Sequence, residues 1–359
     1  MCNKIPKLVQ KISLDMESAI LVVSAVNRYY LSGFNSSDGI IFITRDESYF
    51  FVDFRYYEAA KHQIKELNVV LTADLKKDIL KNALKHQIKT VFIENDGITL
   101  SEAIKVENWL KEGHIALNKQ NTLDKAIYSL RAQKDALEVK NLKMAQKIAE
   151  DALNQLLPEI KPGITERELA FNLEFFIRKS GADALAFDLI VASGKNSAIP
   201  HAEPSDKVIE YGDFVTIDMG ALYNGYHSDM TRTVAVGGIS EHQRKVYNIV
   251  LEAQKRAINE IKPGIMCKDI DKAARNFIAD NGYKKCFGHA LGHGVGLAIH
   301  EKPLLFKRSE DILTPGMVIT VEPGIYLTNE FGVRIEDMLL VTNNGYENLT
   351  NFDKNLIIL

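Results

Sequence analysis

Cysteine is scarce in this 359-residue chain. Cys2, Cys267 and Cys286 are too few and too far apart for a disulfide framework or a zinc knuckle. A reducing, cytoplasmic setting is the expectation that follows. Charge of one sign is lacking too: a formal net charge of −3 and a pI near 6.3 argue against a nucleic-acid surface. No run approaches the roughly 18 apolar residues of a membrane span, and Met1-Cys-Asn-Lys-Ile-Pro-Lys7 has no apolar signal core. No Pro- or Gly-rich linker interrupts the chain.

What is present is a globular composition, 46% hydrophobic and 25% charged, long enough for two domains. Lysines such as Lys76-Lys77 alternate with acids, the pattern of a solvated helix face. Residues 1–125 alternate short apolar strands (Ala19–Val23, Gly39–Thr44, Tyr49–Asp53, Thr90–Ile93) with helical patterns such as Tyr56 to Lys65, and predict an α/β domain. From Leu130 to Leu157 helix formers dominate, with apolar residues at helical spacing. One long helix is therefore expected to open a second domain, 126–359.

That second domain carries a repeat. Glu159-Ile-Lys-Pro-Gly-Ile164 returns 101 positions later as Glu260-Ile-Lys-Pro-Gly-Ile265, and at the same shift Gly181 matches Gly282 and Phe176-Ile177 matches Phe277-Ile278. Each copy reads helix, turn, helix, then strands with acidic residues. An α+β domain built from a duplicated unit about an internal pseudo-twofold is the expectation.

The acids can be placed by strand geometry. Phe214-Val-Thr-Ile-Asp218 and Ser228-Asp-Met-Thr-Arg-Thr-Val-Ala-Val236 flank Tyr223-Asn-Gly-Tyr226, a two-residue hairpin signal. With Asn224-Gly225 as the turn, Asp218 faces Thr231 and Asp229 faces Gly220, so the aspartates are diagonal neighbours on one sheet face. Carboxylates so placed can share cations about 3.5 to 4 Å apart, and Gly220 is expected to leave room for them. Val318-Ile-Thr-Val-Glu322 and Gly332-Val-Arg-Ile-Glu336 repeat the device, Ile319-Thr-Val-Glu322 echoing Val215-Thr-Ile-Asp218. Between them, Gly288-His-Ala-Leu-Gly-His293-Gly-Val-Gly-Leu-Ala-Ile-His300 sets imidazoles among glycines that disfavour a helix and permit close approach. One of these histidines should complete a metal shell.

Together these motifs resemble the Xaa-Pro aminopeptidase and prolidase family, enzymes of the pita-bread fold. Val215-Thr-Ile-Asp218-Met-Gly, Ser228-Asp229-Met-Thr-Arg-Thr, Gly288-His289 through His293 to His300-Glu301, Val321-Glu322-Pro-Gly-Ile-Tyr and Val333-Arg-Ile-Glu336-Asp337 carry the resemblance. Tyr29-Tyr-Leu-Ser-Gly-Phe34 and Asp53-Phe-Arg-Tyr56 extend it to the N-terminal domain. It implies two divalent ions, manganese first with cobalt or zinc able to serve. Asp218 would hold one, Asp229 and Glu336 would bridge both, and His293 and Glu322 would hold the second. His201, His289 and His300 would line the site without binding metal, with Glu322 also moving protons and His201 and His300 donating to the oxyanion. The substrates implied are proline-containing peptides and the assembly a homodimer; the charge balance and the lack of a long apolar run leave neither nucleic acid nor membrane as an expected partner.

Several prolidases have a basic residue just after His-Glu-x-Pro that clamps a dipeptide's carboxylate; here Leu304 follows His300-Glu-Lys-Pro, with Lys302, Lys307 or Arg308 as substitutes. The reading therefore leans to an aminopeptidase, with the dipeptidase as alternative. Arg334 is expected to orient Glu336, His227 to turn away from Asp229, and His62, His86, His114 and His242 to be exposed. A metal-free binding protein, a creatinase-like amidine hydrolase and a metallophosphatase are the rivals. The first two leave the carboxylate set unexplained, and the third lacks cationic phosphate clamps.

Overall fold

The computed structural model describes residues 4–359, so Cys2 lies outside the described residues. The chain divides into two compact units, one ending at Arg131 and the other running Ala132–Leu359. The division falls beyond residue 125 because the helix Thr122–Ala132 belongs to the first unit, where Asp124 accepts the backbone N–H groups of Asn95 and Asp96. The expected single helix from Leu130 is also two helices. Asp135 caps Ala136–Leu156 by accepting from Leu137 and Glu138, while the Glu138 carboxylate accepts the Asp135 N–H. That reciprocal cap starts a new helix where apolar spacing alone suggested continuity.

Among the described residues, the first unit holds a six-stranded mixed sheet in the order Asn68–Leu71, Ser48–Val52, Ile40–Ile43, Ser18–Val22, Thr90–Ile93, Ala116–Asn118. The four central strands are the ones their apolar runs predicted. The two edge strands are short and partly exposed, which removes the alternation that would have marked them.

In the second unit the duplication is visible bond by bond. Helices Ala136–Leu156 and Glu166–Lys179 correspond to Glu241–Asn259 and Cys267–Ile278. Gly163, at φ 99°, donates its N–H to the Ile209 carbonyl, and Gly264, at φ 86°, donates to that of Leu313. Both glycines stand in the left-handed region open to them without strain. Further on, Gly212 bonds Val236 and Gly316 bonds Val341 in the same way. Each helix pair packs on the strands of its own half, the second pair also against Phe214 and Ala235 of the first half.

The halves meet through their returning strands. Glu336 N–H donates to the Thr231 carbonyl at 3.1 Å, and the Thr233 hydroxyl donates to the Arg334 carbonyl at 3.0 Å. The four acids are thereby delivered to one place.

Candidate metal centre

The first hairpin has the expected register. Tyr223 pairs with Tyr226 around Asn224 and Gly225, both at positive φ, and Asp218 on Phe214–Met219 pairs with Thr231 on Met230–Ala235. Gly220 and Asp229 fall in the gap between the two ladders. Gly220 does not make room for ions: a Cβ there would lie 2.0 Å from the Ser228 carbonyl oxygen and 2.8 Å from the Ala186 Cβ, so the glycine admits the neighbouring chain. The second hairpin repeats the gap. Val321 pairs with Asp337 and Gly324 with Arg334, and Glu322 and Glu336 fall between these pairings.

His293 sits in the short strand Gly292–Gly294, where the glycines serve close approach as expected. A Cβ on Gly292 would come within 2.0 Å of the Thr320 carbonyl oxygen, and one on Gly294 within 2.3 Å of that of Lys302. Nδ1 donates to the Gly294 carbonyl at 3.1 Å, and Nε2 faces the acids, 3.4 Å from Asp229 and 3.7 Å from Glu322. Burial and the neighbouring His300 push this imidazole down to about 4, so it is neutral at physiological pH.

Asp229, His293 and Glu336 are buried and turn ligand atoms to within 4.8 Å of one another. Asp218 and Glu322 join them from a more open side. Burial, then the facing carboxylates, pushes the acids up: Asp229 and Glu322 well above the usual range and Glu336 to about 8. Asp218 has one buried oxygen, Oδ1, without a hydrogen-bond partner. Four crowded carboxylates, an orphaned oxygen and a neutral imidazole facing them are a donor set that divalent cations satisfy, and their charge would reverse the upward shifts.

Arg334 departs from expectation. Its Nη2 donates to Asp218 Oδ2 at 2.7 Å, and Glu336 is held instead by the Thr231 hydroxyl at 2.7 Å. Arg334 Nη1 also reaches the Tyr326 hydroxyl at 3.0 Å, which bonds His289 Nε2 at 2.9 Å, while His289 Nδ1 faces the Ala290 carbonyl. Burial drives His289 down to about 4 and Tyr326 up to about 12. Thr231 and Tyr326, which hold Glu336 and His289, are not among the residues expected at the site. The register placed Thr231 opposite Asp218, but its bond to Glu336 spans 105 positions and has no local signal.

The other histidines divide. His300 is exposed and meets His293 edge-on with ring centroids 4.4 Å apart. His201 is exposed on the loop after Gly194–Ala198 and lines a cavity of about 620 Å³ with Ile190 and Phe171. His227 is held against the Gly296 carbonyl. His62, His114 and His242 are exposed, but His86 is half-buried with its Nε2 on the Tyr49 hydroxyl at 2.9 Å.

The site thus defines a candidate metallohydrolase, and comparison with known proteins gives the family. The model of metallopeptidase family M24 matches residues 140–343, and that of the creatinase/prolidase N-terminal domain matches 4–133. The chain is 42% identical to the Xaa-Pro dipeptidase of Pyrococcus horikoshii over 358 residues, 99% of each protein. Its fold superposes on a Bacillus anthracis Xaa-Pro dipeptidase with a TM-score of 0.93 at 42% identity, covering 99% of both chains. On an X-Pro aminopeptidase from Thermotoga maritima the TM-score is 0.90 at 36% identity, covering 98% of this chain and 100% of that one. The chain belongs to metallopeptidase family M24 and has the pita-bread fold. Among the described residues, no helix is long and apolar enough to cross a membrane.

Proposed function

We propose that this protein removes the N-terminal residue from peptides with proline second, as an Xaa-Pro aminopeptidase using two divalent ions, manganese in the first instance. The observation that carries the reading is the buried convergence of Asp229, His293 and Glu336, with Asp218 and Glu322 beside them. Asp218 would hold one ion, His293 and Glu322 the other, with Asp229 and Glu336 shared. When bound, such a pair supplies Lewis acidity and an acidified water.

The chain's own residues do the rest. Glu322, at the more open side, would carry a proton between the water and the leaving nitrogen. His201 and His300, both exposed, would donate to the developing oxyanion, a role typically worth about 2.7 to 4 kcal/mol for one donor. Tyr326 fixes the His289 ring beside the site, with Glu322 Oε2 4.0 Å from its Nδ1. A homodimeric, cytoplasmic enzyme belongs to the same reading.

The dipeptidase reading draws on the names of the relatives. Against it stands Leu304, which pairs with His293 in the ladder and occupies the position where several prolidases carry the basic residue that clamps a dipeptide's carboxylate. Lys302 is committed to Asp311 at 3.3 Å, and Lys307 and Arg308 are exposed. Demetallated protein given manganese should cleave Xaa-Pro-Xaa tripeptides in preference to Xaa-Pro dipeptides, and leave Xaa-Ala peptides intact. Preference for dipeptides would establish the alternative, and hydrolysis of Xaa-Ala at equal rate would refute both.

A further inference from the structure

Arg232 lies at the junction of the two halves and is 2% exposed, yet touches none of the residues proposed to meet substrate. All five of its N–H donors are used. Nη1 donates to the carbonyls of Thr231, at 2.9 Å, and Glu336. Nη2 donates to Asp337 Oδ1 at 2.8 Å and to the Phe352 carbonyl at 2.7 Å, and Nε donates to the Asp353 carbonyl at 3.0 Å. One rigid fork therefore ties together the residue whose hydroxyl holds Glu336, the backbone of Glu336 and the segment Phe352–Leu359.

That segment is fastened along its length. Lys354 donates to Asp337 Oδ2 and to Gln254 Oε1, and Tyr247 donates to the Lys354 carbonyl at 3.1 Å. Ala235 N–H bonds the Ile357 carbonyl, and Leu359 N–H returns to the Ala235 carbonyl, both at 2.9 Å. Asp337, fully buried, thus holds Arg232 on one oxygen and Lys354 on the other, at the position next to Glu336.

We propose that segment 352–359 is a strap that fixes the Glu336 carboxylate through Arg232, making Arg232 a positioning residue for the metal centre. Carbonyl acceptors on three separate segments demand the planar five-donor fork, which a lysine cannot supply even with its charge retained. The inference rests on Glu336 as a metal ligand. Its partner lies outside the ligand set, where loss of such support typically costs about 10- to 100-fold in metal affinity or activity.

The test is Mn2+ binding by calorimetry and Xaa-Pro-Xaa hydrolysis, on the parent, Arg232→Lys and Lys354→Met. The parent comes first: manganese binding without Xaa-Pro hydrolysis would overturn the proposed activity while leaving the strap testable by affinity alone. Absence of manganese binding by the parent would overturn both. The expected result is manganese affinity at least 10-fold weaker in Arg232→Lys, with kcat lowered, KM little changed and partial recovery in excess manganese. Lys354→Met should show a smaller loss in the same direction, because Arg232 keeps its carbonyl partners. A folded Arg232→Lys that binds manganese as tightly as the parent overturns the proposal. If that variant does not fold, unchanged manganese affinity in Lys354→Met does so.

Discussion

The two halves of the second unit use one backbone device to present different side chains. Leading strands correspond at a shift of 104 positions, Gly212 to Gly316 and Asp218 to Glu322; returning strands at 105, Val236 to Val341. On that correspondence Asp229 matches Arg334, and Thr231 matches Glu336. Only Asp218 and Glu322, the more open pair, are therefore related by the pseudo-twofold. The buried pair, Asp229 and Glu336, is not. The halves share the scaffold and differ in the side chains it carries: where the first half has Asp229, the second has Arg334, the cation that crosses over to Asp218.

The largest effect expected is from Asp229→Asn, which should reduce hydrolysis to background while the protein stays folded. Its charge is opposed by burial and by Glu336, Asp218 and Glu322, so the metal-free variant should melt no lower than the parent in calorimetry. Retained turnover would show that the unmatched pair is not the working one. Next comes Arg334→Met, which strips Asp218 of its counter-charge. Breaking a buried pair from one side costs about 3 to 5 kcal/mol, measurable as a shift in urea midpoint. A loss under about 1 kcal/mol would mean that the crossing cation is dispensable.

Thr231→Val should act more mildly, through the aim of Glu336. We expect about a 10-fold fall in kcat/KM and, in metal-free protein at neutral pH where Glu336 is mostly protonated, destabilisation of roughly 0.5 to 1.5 kcal/mol, the range for a neutral hydrogen bond. The smallest effect is on pH dependence. Metal-free, Glu336 titrates near 8, far above an unfolded glutamate, so the folded state binds more protons and loses stability as pH rises toward and through 8. His289 and His293, both depressed to about 4, oppose this only below about 6.5, where the unfolded imidazoles begin to bind protons. Between about pH 6.5 and 8.5 the melting temperature of metal-free protein should therefore fall. Manganese should stabilise increasingly over the same range, because its ligands bind deprotonated. A flat or rising metal-free curve would contradict the crowding of the acids.

Much of this centre was legible because Asn224-Gly225 fixes a register, and a register fixes which side chains share a face. The hexapeptide repeat then located the second half. What stayed hidden depends on contacts between halves: Arg334 reaches Asp218 across 116 positions, and Thr231 reaches Glu336 across 105. Gly220 was assigned a role at the ions because its opposing residue was known, whereas the Ser228 carbonyl, Ala186 and Phe187 occupy the space a Cβ would need. The break before Ala136 was missed because Asp135 and Glu138 are ordinary helix-compatible residues until their mutual hydrogen bonds are seen.

The central claim is that acids from both halves trap a pair of cations with His293. Titrating demetallated protein with manganese, and counting ions bound per chain by calorimetry and elemental analysis, tests it most directly. The account predicts two ions for the parent and fewer for Asp229→Asn. No binding to the parent, or binding untouched by Asp229→Asn, would contradict it.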